Sequence, residues 1–172
     1  SREVSIQGRR EVLLGKGKFG IFGDGKELPQ VVMSHFFKDG DYRSGYYRDQ
    51  TLLMSQNLLS AREIFAAVYG HPDKLYEKMS GGRQMAGHFL TNTIDENNNW
   101  IDQTSQKNHI SDISPTASQM SRLVGLGLAS KIYRNNSING TEKFSKNGNE
   151  VVWGTIGNAS TSQGIFFEAV NA

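Results

Sequence analysis

The chain has 172 residues, a formal net charge of +2 and no cysteine, and these values exclude several classes of protein. Its 19 basic and 17 acidic side chains are mixed along the sequence, so no field of one sign is expected to bind a nucleic acid or an anionic membrane. The lack of cysteine excludes disulfides, thiolate metal sites and thiol nucleophiles. No apolar run reaches the roughly 18 residues that a membrane-spanning helix requires, and we expect a soluble, cytoplasmic chain.

The amino-terminal part of the sequence differs in composition from the rest. Residues 1–28 are rich in glycine and charge, which predicts an amino-terminal extension that is mostly irregular. Residues 29–172 are expected to form one domain, since single domains commonly contain about 100 to 200 residues. The apolar spacing after Pro29 predicts a short helix, and residues 51–69 predict a second helix with a break near Ser60.

The middle of the chain alternates between polar stretches and one helical pattern. Residues 71–113 are polar and show no convincing periodicity, which is typical of a long functional or disordered loop. A helical pattern resumes after Pro115 and runs to Ile132. The polar insert at 135–149 is expected to be a disordered loop.

The carboxyl-terminal part contains the clearest strand signal. Residues 150–156 are β-rich, residues 157–164 form a glycine-containing turn, and residues 165–170 are amphipathic. A strand of this kind is typical of a parallel sheet buried under helices, yet the sequence offers hardly any other strand to pair with it. We therefore predict an α/β fold that contains part of a parallel sheet flanked by helices, with long loops.

The turn at 157–164 has the surroundings of an anion site. It lies between the carboxyl end of a strand and the amino end of a helix, where backbone amides and the helix dipole favour a group such as a diphosphate. The same pattern also fits a plain structural turn, and the loop alone does not separate the two interpretations.

Four motifs follow one another between Tyr42 and Ala172. They are Gly45-Tyr46-Tyr47-Arg48-Asp49, Gly82-Arg83-Gln84-Met85-Ala86-Gly87-His88, Ile113-Ser114-Pro115-Thr116-Ala117-Ser118-Gln119, and Gly157-Asn158-Ala159-Ser160-Thr161-Ser162-Gln163-Gly164 with Phe167-Glu168-Ala169-Val170-Asn171. In this order and spacing they resemble the alpha-type half of thiamine-diphosphate-dependent 2-oxo-acid dehydrogenases. The resemblance implies an incomplete thiamine-diphosphate-binding fold and a truncated amino-terminal part of such an enzyme. The Gly-Arg-Gln-Met piece is more similar to the branched-chain (2-oxoisovalerate) type than to the pyruvate type. The resemblance to bacterial enzymes that fuse the alpha and beta halves into one polypeptide is stronger still.

The resemblance assigns cofactor contacts to three of the four motifs. The implied cofactor-binding residues are Tyr46, Tyr47, Arg48, Ser114, Thr116, Gly157, Ala159 and Ser160. A guanidinium such as that of Arg48 suits phosphate oxygens because its donors are paired and planar. Without the family, Tyr46-Tyr47-Arg48 also fits an ordinary amphipathic helix start, and Ser114-Pro115 also fits a helix cap.

His88 and Asn158 are the implied catalytic and metal residues. His88 could take part in proton transfer or meet the substrate or lipoyl group. The other histidines, His35, His71 and His109, match no motif and are expected to be packed or solvated. Asn158 replaces the acidic residue of the family's Gly-Asp-Gly, so it would offer Mg²⁺ an amide oxygen without charge.

The resemblance also implies a reaction and partners. The reaction is oxidative decarboxylation of a branched-chain 2-oxo acid or pyruvate, with acyl transfer to a lipoyl group and with thiamine diphosphate and Mg²⁺ as cofactors. The implied partners are a beta-type half, in the same polypeptide or a separate subunit, and a lipoyl acyltransferase within a homo- or hetero-oligomer. The chain alone is expected to be inactive. Two other functions remain open, namely a non-catalytic cofactor-binding or assembly domain and a transketolase-like enzyme.

Overall fold

Helices and short parallel strands alternate in the computed structural model, which describes residues 1–84 and 86–172. The helices are α1 (Arg2–Leu13), α2 (Glu27–Phe36), α3 (Gln50–Ser55), α4 (Ala61–Tyr69), α5 (Gln119–Asn135) and α6 (Gly164–Asn171), and the strands are β1 (Tyr42–Ser44), β2 (Asn108–Ile110) and β3 (Val152–Gly154). Short 3₁₀ helices cover Gln103–Ser105 and Asn158–Ser162. The α/β class with part of a parallel sheet, flanking helices and long loops is confirmed.

The chain divides into two compact units. Unit 1 contains Ser1–Phe36 and Tyr47–Phe89, and unit 2 contains Phe37–Tyr46 and Leu90–Ala172. Unit 1 is helical, with α1 against α4 and α2 against α3, whereas unit 2 holds the sheet with α5 and α6.

The break predicted near Ser60 is confirmed, since α3 ends at Ser55 and α4 begins after Ser60. The Ser60 side chain accepts a hydrogen bond from the Glu63 N–H at 3.2 Å, and the Glu63 carboxylate accepts the Ser60 N–H at 2.8 Å. This reciprocal capping satisfies two amides at the start of α4. The apolar face of α4 then packs into the core of unit 1, which contains Phe22, Leu53, Leu59, Ile64 and Val68.

The prediction that residues 1–28 are mostly irregular was wrong for the first half of that segment. Helix α1 occupies Arg2–Leu13, and its buried residues are Ser5 and Gly8. A Cβ atom at Gly8 would overlap the Phe22 ring, so the absence of a side chain lets this ring pack on the helix. A helix that buries serine and glycine carries little of the hydrophobic periodicity on which the sequence prediction relied.

The sheet of unit 2 is three-stranded and parallel, in the order β2-β1-β3. Tyr42 at the start of β1 aligns with Asn108 in β2 and with Val152 in β3. The predicted strand at 150–156 is confirmed in β3, but the expectation that hardly any strand would pair with it was wrong. Strands β1 and β2 are three residues long and mostly polar, so neither showed a strand pattern in the sequence.

Buried polar side chains hold the amino ends of these strands in register. The Asp41 carboxylate accepts hydrogen bonds from the Val151 N–H at 2.8 Å and from the Trp153 indole N–H at 3.0 Å. The Tyr42 hydroxyl donates to the carbonyl of Phe144 at 2.7 Å, and burial raises the pKa of this hydroxyl. These polar contacts, rather than apolar packing, fix β3 beside β1.

Parallel pairing has a direct consequence for the motifs. Because the three strands run in the same direction, the segments that begin at Gly45, Ser111 and Thr155 all leave from the carboxyl edge of the sheet. This edge is where open α/β sheets bind ligands. Within the part of the chain that the structure describes, no helix is long and apolar enough to cross a membrane.

Gly82 provides a test of the close packing in unit 1. Its φ is +75°, and a Cβ atom there would overlap the Gly70 carbonyl group and lie 2.9 Å from the His71 carbonyl oxygen. We expect Gly82→Ala to lower the free energy of unfolding by about 1 to 3 kcal/mol, because both the backbone conformation and the contact oppose a side chain. Denaturant unfolding of the protein measures this change.

Gly125→Ala is the matched control. Gly125 lies in α5, and a Cβ atom there would meet no described atom within 4 Å outside its chain neighbours and its own helix backbone. Alanine should therefore raise helix stability by about 0.5 to 1 kcal/mol. Equal unfolding free energies for the two variants would contradict the described turn at Gly82.

Candidate functional site

The carboxyl edge of the sheet in unit 2 brings three of the four sequence motifs together. The Ile113 N–H donates to the Gly45 carbonyl at 3.3 Å, which joins the segments that follow β1 and β2. The Ser44 hydroxyl donates to the Gln119 carbonyl at 3.0 Å, and the Gln119 side-chain amide donates to the Thr155 carbonyl at 2.8 Å. Gln119 therefore links β1 to the segment that follows β3.

A buried ion pair fixes the segment after β2. Arg43, in the central strand, is 0% exposed, and its guanidinium donates to the Asp112 carboxylate at 2.7 Å. The Arg43 Nε–H also donates to Nδ1 of His109 at 2.8 Å. A buried charge must be paired, so Asp112 and the motif residues that follow it are held against β1.

His109 is a packed histidine, as the sequence analysis expected. Its ring stacks on Phe37 at a centroid distance of 5.1 Å and an interplanar angle of 9°. Burial, together with the positive charges of Arg43 and Lys107, lowers the pKa of His109 to about 2. The neutral ring accepts at Nδ1, so its proton is on Nε2.

The turn with Ser114 and Thr116 precedes α5 rather than beginning it. Both residues are exposed, and the Ser118 N–H donates to the Pro115 carbonyl at 3.1 Å. Ala117 is buried and has a φ of +64°, a left-handed conformation that is uncommon for alanine. Because this residue interrupts the helical backbone, α5 begins at Gln119 and Ser114 does not cap it.

The turn between β3 and α6 has the arrangement predicted for an anion site. Asn158–Ser162 form a 3₁₀ helix, in which the Ser160 N–H donates to the Gly157 carbonyl at 2.9 Å. Helix α6 then begins at Gly164. Gly157, Asn158, Ala159 and Ser160 are thus placed at the carboxyl end of a strand, ahead of a helix amino terminus.

In unit 1 the structure brings Tyr47, Arg48 and His88 together. The Arg48 guanidinium carbon lies 5.6 Å from the centre of the Tyr47 ring, and the Tyr47 and His88 rings lie 5.9 Å apart. Helix α3 begins only at Gln50, so the interpretation of Tyr46-Tyr47-Arg48 as a helix start is wrong.

The backbone of Arg48 is held by a buried glutamine. The Gln30 side chain donates to the Arg48 carbonyl and accepts the Leu52 N–H, both at 3.1 Å. A Cβ atom at Gly23 would overlap the Arg48 carbonyl oxygen, so the chain also passes closely over this residue. The side chain of Arg48 therefore projects from a fixed backbone.

His88 is tied to its own loop by two hydrogen bonds. Its N–H donates to the Gln84 side-chain oxygen at 3.2 Å, and its Nδ1 lies 2.6 Å from the Ala86 carbonyl. A carbonyl oxygen only accepts, so Nδ1 carries a proton. Met85, which belongs to the same motif, lies outside the described residues.

The residues present fit a diphosphate better than they fit a metal ion. Arg48 and the turn before α6 offer donors suited to phosphate oxygens. Among residues 1–84 and 86–172, no group of three or more histidine, aspartate or glutamate side chains could hold a metal ion. At the implied metal position, Asn158 supplies a neutral oxygen donor.

Sequence reasoning missed the residues that hold these loops in place. They are Gln30, Arg43, Asp112 and Gln119, all of them buried. A signal existed for Gln30 and Gln119, because each is a polar residue in or beside an apolar helical stretch. Arg43 and Asp112 are 69 positions apart, and no local pattern indicated that they pair.

The buried His109 gives a testable pH dependence. Its pKa is lower in the folded state than the ordinary value of 6.5, so the unfolded chain binds the proton more tightly and the histidine destabilises the fold as the pH falls below 6.5. His109→Asn keeps an acceptor for Arg43 but cannot titrate. Between pH 6.5 and 5, the unfolding free energy of the unchanged protein should fall faster than that of the variant, by up to about 1.4 kcal/mol per pH unit.

Chemical denaturation at several pH values measures this difference. His35→Asn, at an exposed histidine of α2, is the control for the loss of an imidazole from the chain. Parallel curves for the unchanged protein and His109→Asn would show that His109 is protonated in the folded state.

Two comparisons with known proteins bear on the family of the chain. Residues 13–172 match the sequence profile of the family described as "Dehydrogenase E1 component". The chain is also 27% identical, over 159 residues, to the 2-oxoisovalerate dehydrogenase subunit alpha of Bacillus subtilis (strain 168). This match covers 91% of the chain but 39% of the relative, so the chain spans well under half the length of that protein.

Proposed function

Because the chain belongs to the dehydrogenase E1 component family, whose members depend on thiamine diphosphate, we propose that it binds this cofactor as the alpha-type part of a 2-oxo-acid dehydrogenase. The observation that supports the proposal most is that the segments leading into three family motifs meet at one edge of the sheet. The segments after β1, β2 and β3 are joined there through Gly45, Gln119 and Thr155.

The proposed reaction is oxidative decarboxylation of a 2-oxo acid. When bound, thiamine diphosphate supplies the nucleophilic carbon and the electron sink that such a decarboxylation requires. The relative from Bacillus subtilis is named for 2-oxoisovalerate, which favours a branched-chain substrate over pyruvate. The proposed reaction ends with transfer of the acyl group to a lipoyl arm. The proposed partners are a beta-type half and a lipoyl acyltransferase.

The family resemblance assigns residues of each unit to a part of the cofactor. We assign the diphosphate to Tyr46, Tyr47 and Arg48 and to the turn that contains Gly157, Ala159 and Ser160. The family resemblance assigns Ser114 and Thr116 to the ring. Their turn follows Asp112, which is held by its buried pair with Arg43. Fixed donors cost less conformational entropy on binding than mobile ones, which favours tight binding of the cofactor.

His88 is the proposed proton-transfer residue. The family motif assigns His88 to the site, and an imidazole is the side chain that most often transfers protons near neutral pH. The bond from Nδ1 to the Ala86 carbonyl fixes the tautomer of the ring. The neighbouring Tyr47 ring limits the directions in which the imidazole can turn. His88 would thus act from one orientation rather than from several.

Asn158 favours a second candidate function. A neutral amide at the metal position, with no acidic or histidine cluster among the described residues, would also suit a cofactor-binding domain without catalysis. No observation favours the transketolase-like alternative. In the enzyme, Mg²⁺ would be held through diphosphate oxygens with the Asn158 oxygen as a weak ligand.

Arg48 provides the direct test of cofactor binding. Arg48→Ala should weaken thiamine diphosphate binding by about 1.5 to 3 kcal/mol for each charge-assisted hydrogen bond that is lost. The stability should change little, because the Gln30 side chain bonds to the Arg48 backbone rather than to its guanidinium. Titration calorimetry of the full-length enzyme measures the affinity.

Arg62→Ala is the matched control for this variant. The Arg62 guanidinium lies 4.5 Å from the centre of the Tyr76 ring, so it repeats the arginine and tyrosine pairing of Arg48 on an exposed surface of the same unit. Its removal should leave the affinity unchanged. Identical affinities for Arg48→Ala and the unchanged enzyme would contradict the proposed role.

Substitution of Asn158 distinguishes the two candidate functions, the enzyme and the non-catalytic cofactor-binding domain. Asn158→Asp should raise the apparent affinity for Mg²⁺ in the presence of thiamine diphosphate, because a carboxylate is the stronger magnesium ligand. Decarboxylase activity should be retained. An apparent Mg²⁺ affinity that falls or stays level would show that the side chain of residue 158 does not face the metal.

A further inference from the structure

Glu77 is a buried carboxylate whose hydrogen-bond donors come from its own loop. It is 0% exposed. One carboxylate oxygen accepts the Met79 N–H at 2.9 Å, and the other accepts the N–H groups of Ser80 at 2.7 Å and Gly82 at 2.8 Å. The Ser80 hydroxyl donates to the same oxygen at 2.7 Å. One side chain therefore determines the path of residues 79–82.

The network continues from Ser80 to His88. The Ser80 hydroxyl oxygen accepts the N–H groups of Arg83 and Gln84, both at 3.1 Å. The Gln84 side-chain oxygen then accepts the His88 N–H at 3.2 Å. A second route runs through packing, because the methyl end of Met79 occupies the space beside Gly87 where a Cβ atom would lie.

The loop requires the charged form of Glu77. Burial alone would raise the pKa of the carboxyl, but the hydrogen bonds from Gly82, Ser80 and Met79 outweigh it and lower the pKa below its usual value. A protonated carboxyl would have one acceptor fewer for these donors. Glu77 is therefore ionised at neutral pH.

Burial of a carboxylate opposes folding, because the ion loses its hydration. Removing an ion from water costs several kcal/mol, and an apolar side chain of similar volume often packs there without loss of stability. The nearby ion pair of Lys78 is made with Glu63, so it does not neutralise Glu77. The carboxylate accepts hydrogen bonds from four donors and so fixes their positions, which an apolar side chain could not do.

We propose that Glu77 is a positioning residue, which acts through Ser80 and Gln84 to place His88 for proton transfer. The functional part of this inference rests on the proposed role of His88 in the 2-oxo-acid dehydrogenase reaction. The geometric part, that Glu77 holds residues 79–84 and, through Gln84, His88, stands on the hydrogen bonds alone.

The test compares Glu77→Gln with the unchanged full-length enzyme. Glutamine keeps the volume, but its amide nitrogen cannot accept the loop's N–H groups. We expect faster amide hydrogen exchange at Ser80, Gly82, Gln84 and His88, with exchange in α4 unchanged. We also expect kcat to fall by about 10-fold to 100-fold, because small displacements of a catalytic group have effects of that size. The KM for the 2-oxo acid and the affinity for thiamine diphosphate should change less than about twofold, because the Glu77 side chain is 0% exposed and is surrounded by its own loop.

Asp95→Asn is the matched control. The Asp95 carboxylate also accepts two backbone N–H groups, from Asn97 and Asn99 at 2.8 Å, but it lies in an exposed turn of unit 2. This variant should leave both kcat and the exchange of residues 79–88 unchanged. If loss of any turn carboxylate lowered kcat, then Glu77→Gln and Asp95→Asn would both lower it.

Ser80→Ala covers the case in which Glu77→Gln does not fold. It keeps the three bonds in which the Glu77 carboxylate accepts the N–H groups of Met79, Ser80 and Gly82. It removes the hydroxyl, which donates to Glu77 and accepts the N–H groups of Arg83 and Gln84. Exchange should therefore rise most at residues 83, 84 and 88, with a partial loss of kcat. Unchanged exchange, or faster exchange with unchanged kcat, would overturn the inference. If the enzyme without any substitution has no decarboxylase activity, the proposed function is overturned. The exchange rates would still decide whether Glu77 holds the loop.

Discussion

The arrangement of the sheet in unit 2 depends on the burial of Arg43 in its central strand. A guanidinium that is 0% exposed must keep its partners, because removal of one partner would leave an uncompensated charge in the interior. Those partners are Asp112, which follows β2, and the neutral ring of His109. The pairing therefore fixes the end of β2 against β1, and with it the motif that begins at Ile113. A three-residue strand could not provide this accuracy through backbone hydrogen bonds alone.

The same use of polar groups recurs wherever a motif must be held. Gln119 spans β1 and the segment after β3, Asp41 aligns β3 from the opposite end, and Gln30 supports the backbone of Arg48. Hydrogen bonds are directional, whereas apolar contacts tolerate rotation and sliding. Binding loops that are held by buried polar side chains have fewer accessible conformations before the ligand arrives. This preorganisation is consistent with a chain whose main contribution is to bind and orient a cofactor.

Much of the architecture could be predicted from the sequence, because helices α2, α4, α5 and α6 and strand β3 have clear periodicity or β-rich composition. The motifs Gly45–Asp49 and Gly157–Gly164 were recognisable because their residue types suit phosphate binding and their order matches one family. The remaining features depend on contacts between distant residues. Nothing local marks Tyr42–Ser44 as a strand, since it pairs with residues 66 and 110 positions away. Helix α1 was missed because its fully buried residues are serine and glycine, and Val4 and Val12 alone contribute apolar contacts to the core.

The central claim is that the loops at the carboxyl edge of the sheet bind thiamine diphosphate. Amide hydrogen exchange of the full-length protein, with and without saturating thiamine diphosphate and Mg²⁺, tests it most directly. The account predicts slower exchange with the cofactor in residues 45–49, 113–118 and 157–163, which are the segments after β1, β2 and β3. The turn at 95–99 should be unaffected and serves as the internal reference. Slower exchange confined to other segments, or no change at saturating cofactor, would contradict the account.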